Sequence, residues 1–241
     1  MTQRSPGTAV PGLSRFRNRD HRGTLTIGQA PRADITPILD AVLPADLPRI
    51  HAGVLDGLGR SAIERDFAPV PGQPVLITKL LDGSSVIIDR ARTEAAAQSK
   101  LHALEAEGCT TILMLCTGHF ETLRTRQARF LEPDRILPPT VAALISGAQL
   151  GIIVPLAEQI ASEAAKWKPL ALPPICAAAS PYQGDLAAVT HAAEDLRARG
   201  AGILLMDCMG FVEDHRRAAA AAGLPVILSN SLISKLASEL V

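Results

Sequence analysis

Gly200-Ala201-Gly202-Ile203-Leu204-Leu205-Met206-Asp207-Cys208-Met209-Gly210 decides how the chain is read. An apolar run passes straight into an acid, a thiol and a glycine. Unbroken apolarity over so short a span suits a strand buried on both faces, as in a parallel sheet. Such sheets carry their chemistry at the carboxyl ends of the strands, which puts Cys208 at the mouth of a crevice. An upstream stretch repeats the layout: Gly108-Cys109-Thr110-Thr111-Ile112-Leu113-Met114-Leu115-Cys116-Thr117-Gly118. In both copies a Gly opens the segment, a Cys follows eight residues later and a second Gly comes two after that. Helix-like runs, 94–107 and 186–199, precede the two opening glycines. The chain therefore carries an internal duplication of a helix–strand–Cys-x-Gly unit. Two such units facing each other bring two thiols to one cleft. The plainer alternative is that each Cys is a small buried hydrophobe.

Size and composition exclude several classes. The 241 residues, 47% apolar and 20% charged with zero formal net charge, suit an α/β protein with a sizeable core. Nothing in that balance attracts nucleic acid, and one Trp, one Tyr and five Phe offer little for base stacking. The four Cys (109, 116, 176 and 208) form no Cys-x-x-Cys pair, so no metal site is expected. No apolar run is long enough for a membrane span, and residues 1–23 show no export signal. A cytoplasmic location with reduced thiols follows.

Taken in order, residues 1–22 read as a flexible leader rich in Arg, Pro, Gly and Ser. A first strand over 24–28 ends in the loop Gly28-Gln29-Ala30-Pro31-Arg32, on the crevice side, where Arg32 is placed to grip a carboxylate with two hydrogen bonds. Asp34 is the expected cap of a helix running to residue 42. A strand over 50–55 and a short helix over 61–67 come next. Residues 75–80 and 85–89 flank Asp82-Gly83 as a hairpin, expected to decorate a sheet edge. A helix over 93–107 leads into the first thiol strand and His119, a candidate proton carrier or substrate contact. The Pro-punctuated passage 129–139 is expected to cross between lobes. Helices follow over 140–146, 157–167, 184–199 and 212–221, and strands over 149–154 and 174–178, with Cys176 as core filler. A last strand (225–228) and helix (231–240) are expected to return to the first lobe, bringing Asn230 to the cleft. The fold expected is α/β: two pseudosymmetric lobes of mostly parallel sheet with a cleft between them. The first lobe is 23–136 plus 225–241 and the second is 137–224.

No phosphate loop, dinucleotide fingerprint or Gly-x-Ser-x-Gly elbow is present, so the chemistry falls to the thiols. A helix starting after each Cys is expected to lower its pKa and to help bind a carboxylate. With a carbon acid between them, one thiolate removes a proton and the opposite thiol returns one to the other face. Cys116 and Cys208 are the candidate acid–base pair. Gly28, Gln29, Arg32, Thr117, Gly118, His119, Met209, Gly210 and Asn230 are the candidate substrate contacts. Asp207 either tunes Cys208 or makes a structural hydrogen bond. No cofactor is required.

The Cys-Thr-Gly and Cys-x-Gly loops on two lobes resemble the aspartate/glutamate/hydantoin racemase superfamily. Three segments sharpen the likeness to the AroM family: Thr26-Ile27-Gly28-Gln29-Ala30-Pro31-Arg32, residues 130–139 (Phe-Leu-Glu-Pro-Asp-Arg-Ile-Leu-Pro-Pro), and Met206-Asp207-Cys208-Met209-Gly210-Phe211. The likeness covers about residues 23 to 241. It implies a racemase-like fold, catalytic thiols at Cys116 and Cys208, a substrate loop over residues 28–32 and a small carboxylate substrate. The chain lacks the Asp-Ser-Gly and Cys-Thr-His patterns of glutamate racemases, which argues against glutamate as substrate. Two other readings stay open. One is a one-thiol lyase or cis–trans isomerase relying on Cys208. The other is a metabolite-binding regulator linked to aromatic biosynthesis. Homo-oligomerisation is left open.

Overall fold

Two four-stranded parallel sheets with the same strand order carry the chain. The structure is a computed structural model that describes residues 21–240. The expected leader therefore lies outside the described residues except for its last two, which open β1 (His21–Thr26). The first sheet also contains β2 (Arg49–Gly53), β5 (Cys109–Met114) and β6 (Arg129–Leu131), in the order β2-β1-β5-β6. The second contains β7 (Leu150–Val154), β8 (Ile175–Ala178), β9 (Ile203–Met206) and β10 (Val226–Leu228), in the order β10-β9-β7-β8. Read from the other edge, β8-β7-β9-β10 matches β2-β1-β5-β6 position for position. All pairings within both sheets are parallel.

The duplication extends to the helix ends. Helix α3 (Arg90–Ala106) is capped by Asp89, whose side chain accepts from the Arg92 N–H, and α6 (Leu186–Ala198) is capped by Asp185 accepting from Ala188. A side-chain acceptor there satisfies one of the N–H groups that a helix start leaves free. Past each helix a glycine takes the left-handed conformation, Gly108 at φ 93° and Gly200 at φ 97°, and turns the chain into β5 or β9. Both thiol strands are thus launched by the same cap–helix–glycine unit.

Three apolar clusters hold the layers together. One packs α3 and the hairpin against the first sheet through Leu25, Leu101, Ile112 and Ile88. Another packs α6 and α7 (Glu213–Ala220) against the second sheet through Val189, Leu196, Leu204 and Ala219. The third lies between the sheets. It joins Leu113 of β5 to Leu150 of β7 and Leu205 of β9, with Leu39 from α1 (Thr36–Asp40), Val141 from α4 (Pro133–Ile145) and Ile233 from α8 (Ser229–Ser238). Burying one such side chain contributes about 1.5–3 kcal/mol. The two sheets therefore share a core and hold their carboxyl ends in fixed relation.

Four expectations are corrected. Residues 129–139 hold β6 and the start of α4, with Pro138 and Pro139 inside the helix. A Pro pair reads as a breaker because it removes two ladder donors, but Leu137, Val141 and Ile145 form a buried stripe at four-residue spacing that outweighs the loss. Residues 226–228 pair with β9, so the last strand belongs to the second sheet, not the first lobe; only α8 turns back to touch α1. Asp34 caps no helix, because its carboxylate is bound to Arg32. The hairpin β3 (Val75–Lys79) and β4 (Ser85–Asp89) forms as expected but joins neither sheet. It leans over the carboxyl ends of the first sheet, where Leu76 reaches the wall of a cavity. Short helices α2 (Arg60–Asp66) and α5 (Ile160–Lys166) complete the fold. Among the described residues no helix is long and apolar enough to cross a membrane.

Candidate active site

Where β5 and β9 end, the chain opens into loops that line one cavity of about 380 Å³ between the two sheets. Cys116 stands two residues beyond β5 and Cys208 two beyond β9, and both line that cavity. The local geometry is duplicated too. The Gly118 N–H lies 3.3 Å from Cys116 Sγ, and the Gly210 N–H lies 3.4 Å from Cys208 Sγ. Each sulfur is thus met by the amide of the glycine two residues on, the spacing that singled out these stretches in the sequence.

The thiols are not acidified as expected. Burial pushes Cys116 up to about 12, with the Gly118 N–H only partly offsetting it. Burial also raises Cys208, while the Gly210 N–H, the Tyr182 hydroxyl and Arg32 pull it back. The expected helix after each Cys is missing for the first thiol: no helix begins between Cys116 and Pro133. Desolvation disfavours the charged form, and no positive helix end compensates it there. A buried thiolate, once formed, is in return a stronger base.

The loops are fixed by a buried ionic clamp that the sequence did not reveal. Lys166, at the end of α5, ion-pairs with Asp207 at side-chain exposures of 8% and 1%. Its ammonium also donates to the Thr117 carbonyl at 2.8 Å, and the Thr117 hydroxyl donates to the Asp207 carbonyl at 3.3 Å. The Ser229 hydroxyl also donates to the carboxylate, at 3.2 Å. One ammonium therefore ties the residue after Cys116 to the residue before Cys208. Burial opposes charge on Lys166, but Asp207 and Glu163 outweigh it and hold its pKa above the ordinary value. Asp207 thus makes the structural contact, one of its two expected roles.

Glu163 lies beside this pair and accepts from Trp167 Nε1 at 2.8 Å. Burial, then the negative Asp207, raise its carboxyl from 4.5 to about 7 against the pull of Lys166. A raised acid binds its proton more tightly in the folded state. Its stabilising contribution is therefore complete below its unfolded value of about 4.5 and is lost as pH rises through about 7. Denaturant unfolding between those values is expected to show stability falling on the order of 3 kcal/mol. Glu163→Gln is expected to flatten that slope; an unchanged slope in the variant would assign it to another group.

The expected substrate contacts divide. Thr117, Gly118, His119, Met209 and Arg32 line the cavity. Gly28, Gln29, Gly210 and Asn230 do not. Gln29 is engaged on both sides of its amide, donating to the Leu55 and Leu58 carbonyls and accepting from Leu81 N–H. Gly28 gives room for Lys79 and Thr78 of the hairpin, which a Cβ would strike. Asn230 is buried and donates to the carbonyls of Met209 and Phe211, so it braces the Cys208 loop from behind. Arg32 is 4% exposed, and its fork is already closed on Asp34 at 2.8 and 2.7 Å. It therefore has no free pair of donors for a substrate carboxylate. His119 sits at the rim, its ring 2.6 Å from Asp134. Sequence reasoning also missed Arg90 and Lys168, cationic lining residues, and Tyr182, whose hydroxyl is 3.6 Å from Cys208 Sγ. Among the described residues no group of three His, Cys, Asp or Glu could hold a metal ion.

A family model described as AroM protein matches residues 22–241. No curated protein matches the chain in sequence. Among solved structures, it is similar to glutamate racemase from Francisella tularensis subsp. tularensis SCHU S4 in complex with D-glutamate, at 12% identity and TM-score 0.60, covering 92% of this chain and 81% of that one. Allantoin racemase from Pseudomonas fluorescens matches at 12% identity and TM-score 0.54, covering 91% and 90%. Unliganded arylmalonate decarboxylase matches at 14% identity and TM-score 0.52, covering 92% and 91%. At these identities the likeness establishes the fold.

Proposed function

Because the chain belongs to the AroM family, and its fold is that of racemases and a decarboxylase, we propose that it is a cofactor-independent racemase or isomerase of a small carboxylate-bearing carbon acid. The observation that carries the reading is the pair of thiols from duplicated loops lining one cavity. The cavity's volume of about 380 Å³ lies in the range of small-molecule sites. Cys208 as thiolate takes the proton from the substrate carbon. The electron pair left on that carbon is held by the adjacent carboxylate as an enediolate. Cys116 then delivers its own proton to the opposite face, ending as thiolate while Cys208 ends as thiol. A carboxylate is drawn by Arg90 and Lys168, and an apolar substituent fits against Ile27, Leu76 and Leu115.

One observation favours a second reading. Among the described residues a side-chain hydroxyl, that of Tyr182, is hydrogen-bonded to the sulfur of Cys208 and none to that of Cys116, which suits a one-thiol lyase or cis–trans isomerase. Incubation of the protein in deuterated water with amino acids, hydantoins, hydroxy acids and aryl-substituted acetates separates the readings. Deuterium entering the α position of one class is the expected result, at a rate that rises above neutral pH as the buried thiol ionises. A panel in which no α proton exchanges contradicts the proton-transfer reading.

A further inference from the structure

Tyr182 and Arg32 form a chain behind one thiol that the other lacks. Tyr182 lies in the segment between β8 and α6 and lines the cavity. Its hydroxyl is 3.3 Å from Arg32 Nη2 and 3.6 Å from Cys208 Sγ. A guanidinium has donors only, so the phenolic oxygen accepts from Arg32. The Tyr182 proton is then free to point at the sulfur, and once Cys208 is a thiolate the sulfur has no proton of its own and can only accept it. A sulfur held as acceptor by a hydroxyl and backed by a cation is a sulfur favoured as thiolate. Arg32 is locked in place by Asp34 and lies 5.9 Å from the centre of the Tyr182 ring. Gly210 is part of the same arrangement. A Cβ there would stand 2.5 Å from the Tyr182 hydroxyl, so only glycine lets the ring approach.

Among the described residues Cys116 has no counterpart. Its sulfur is met by the Gly118 N–H, which Cys208 matches with Gly210. The other groups that bear on the two sulfurs are Asp207, which disfavours both thiolates, Lys166, which favours that of Cys116 but is neutralised by Asp207, and Cys208, which disfavours the thiolate of Cys116. Burial keeps the Tyr182 phenol protonated, well above its ordinary range, so it remains a donor. We propose that Tyr182, held by Arg32, is a positioning residue that makes Cys208 the thiol that ionises first, so that Cys208 starts each turnover as base and Cys116 as acid. The direction of the first proton transfer rests on the acid–base reading of the pair; the order of ionisation does not.

The test is the pH profile of iodoacetamide alkylation at each Cys, read by peptide mass spectrometry on the full chain. In the parent protein Cys208 is expected to react at lower pH than Cys116. In Tyr182→Phe the Cys208 rate at about pH 8 is expected to fall about tenfold, with its midpoint moved up, while the Cys116 profile stays in place. Gly210→Ala keeps the hydroxyl but drives it and its ring away from the sulfur, and is expected to reproduce the shift; it also carries the test if Tyr182→Phe does not fold. A Cys208 profile unmoved in the folded variants overturns the proposal. So does Cys116 reacting ahead of Cys208 in the parent. Alkylation needs no turnover, so a protein that exchanges no α proton yet shows the shift would defeat the racemase reading and leave this one standing.

Discussion

Lys166→Met is expected to destabilise the fold by about 3–5 kcal/mol, the cost of leaving one member of a buried ion pair unpaired. Methionine keeps the length of the stem, so little packing is lost; what is lost is the ammonium between Asp207 and the Thr117 carbonyl. Asp207 would remain 1% exposed, with the Ser229 hydroxyl and the Glu163 carboxyl as side-chain partners but no cation. A carboxylate so placed must protonate or be hydrated, and either loosens the Cys208 loop. Asp207→Asn should cost a similar amount for the converse reason. The double variant should cost clearly less than the sum, because the penalty of each single change is the uncompensated partner. Chemical denaturation of the three variants measures this. A loss below about 1 kcal/mol in Lys166→Met would mean that the pair is hydrated and holds neither loop.

Cys208→Ser and Cys116→Ser are each expected to lower racemisation by about 10²–10⁴-fold, the span that a positioned general acid or base contributes. Serine preserves the small polar side chain and the glycine amide that faces it, but its hydroxyl does not ionise near neutral pH. The losses should not add, since the two groups act on one carbon in one step. Cys176→Ser is the control. Cys176 lies in β8, its neighbours are the shared core, and it lines no part of the cavity. Should Cys116→Ser retain near-full activity, the one-thiol reading would displace the two-thiol one.

How much of this could be read from sequence follows the range of the contacts. The thiol strands, their opening glycines and the helices before them are local patterns, and all formed where expected. Cys116 and Cys208 lie at carboxyl ends of strands because apolar runs and glycines mark those ends. The clamp was not legible. Lys166 ends a seven-residue helix with no motif around it, and its partners are 49 and 41 positions away. Tyr182 likewise stands alone between Pro181 and Gln183, and only the fold brings it to Cys208. Arg32 lines the cavity, but its fork is closed by Asp34 two residues on, and an acid at that spacing looks the same in sequence as a helix cap. Pro138 and Pro139 misled for the opposite reason: a strong local signal was overruled by the buried stripe of α4.

Once a turned-over carbon acid is in hand, early-time deuterium wash-in is the most direct test of the paired thiols. A single enantiomer is converted to a few per cent in deuterated water, and both enantiomers are recovered and read by mass spectrometry. If the two sulfurs work from opposite faces, the product carries solvent deuterium while the recovered substrate remains protiated. Deuterium appearing in recovered substrate as fast as in product would mean that one group handles both proton transfers, contradicting the account.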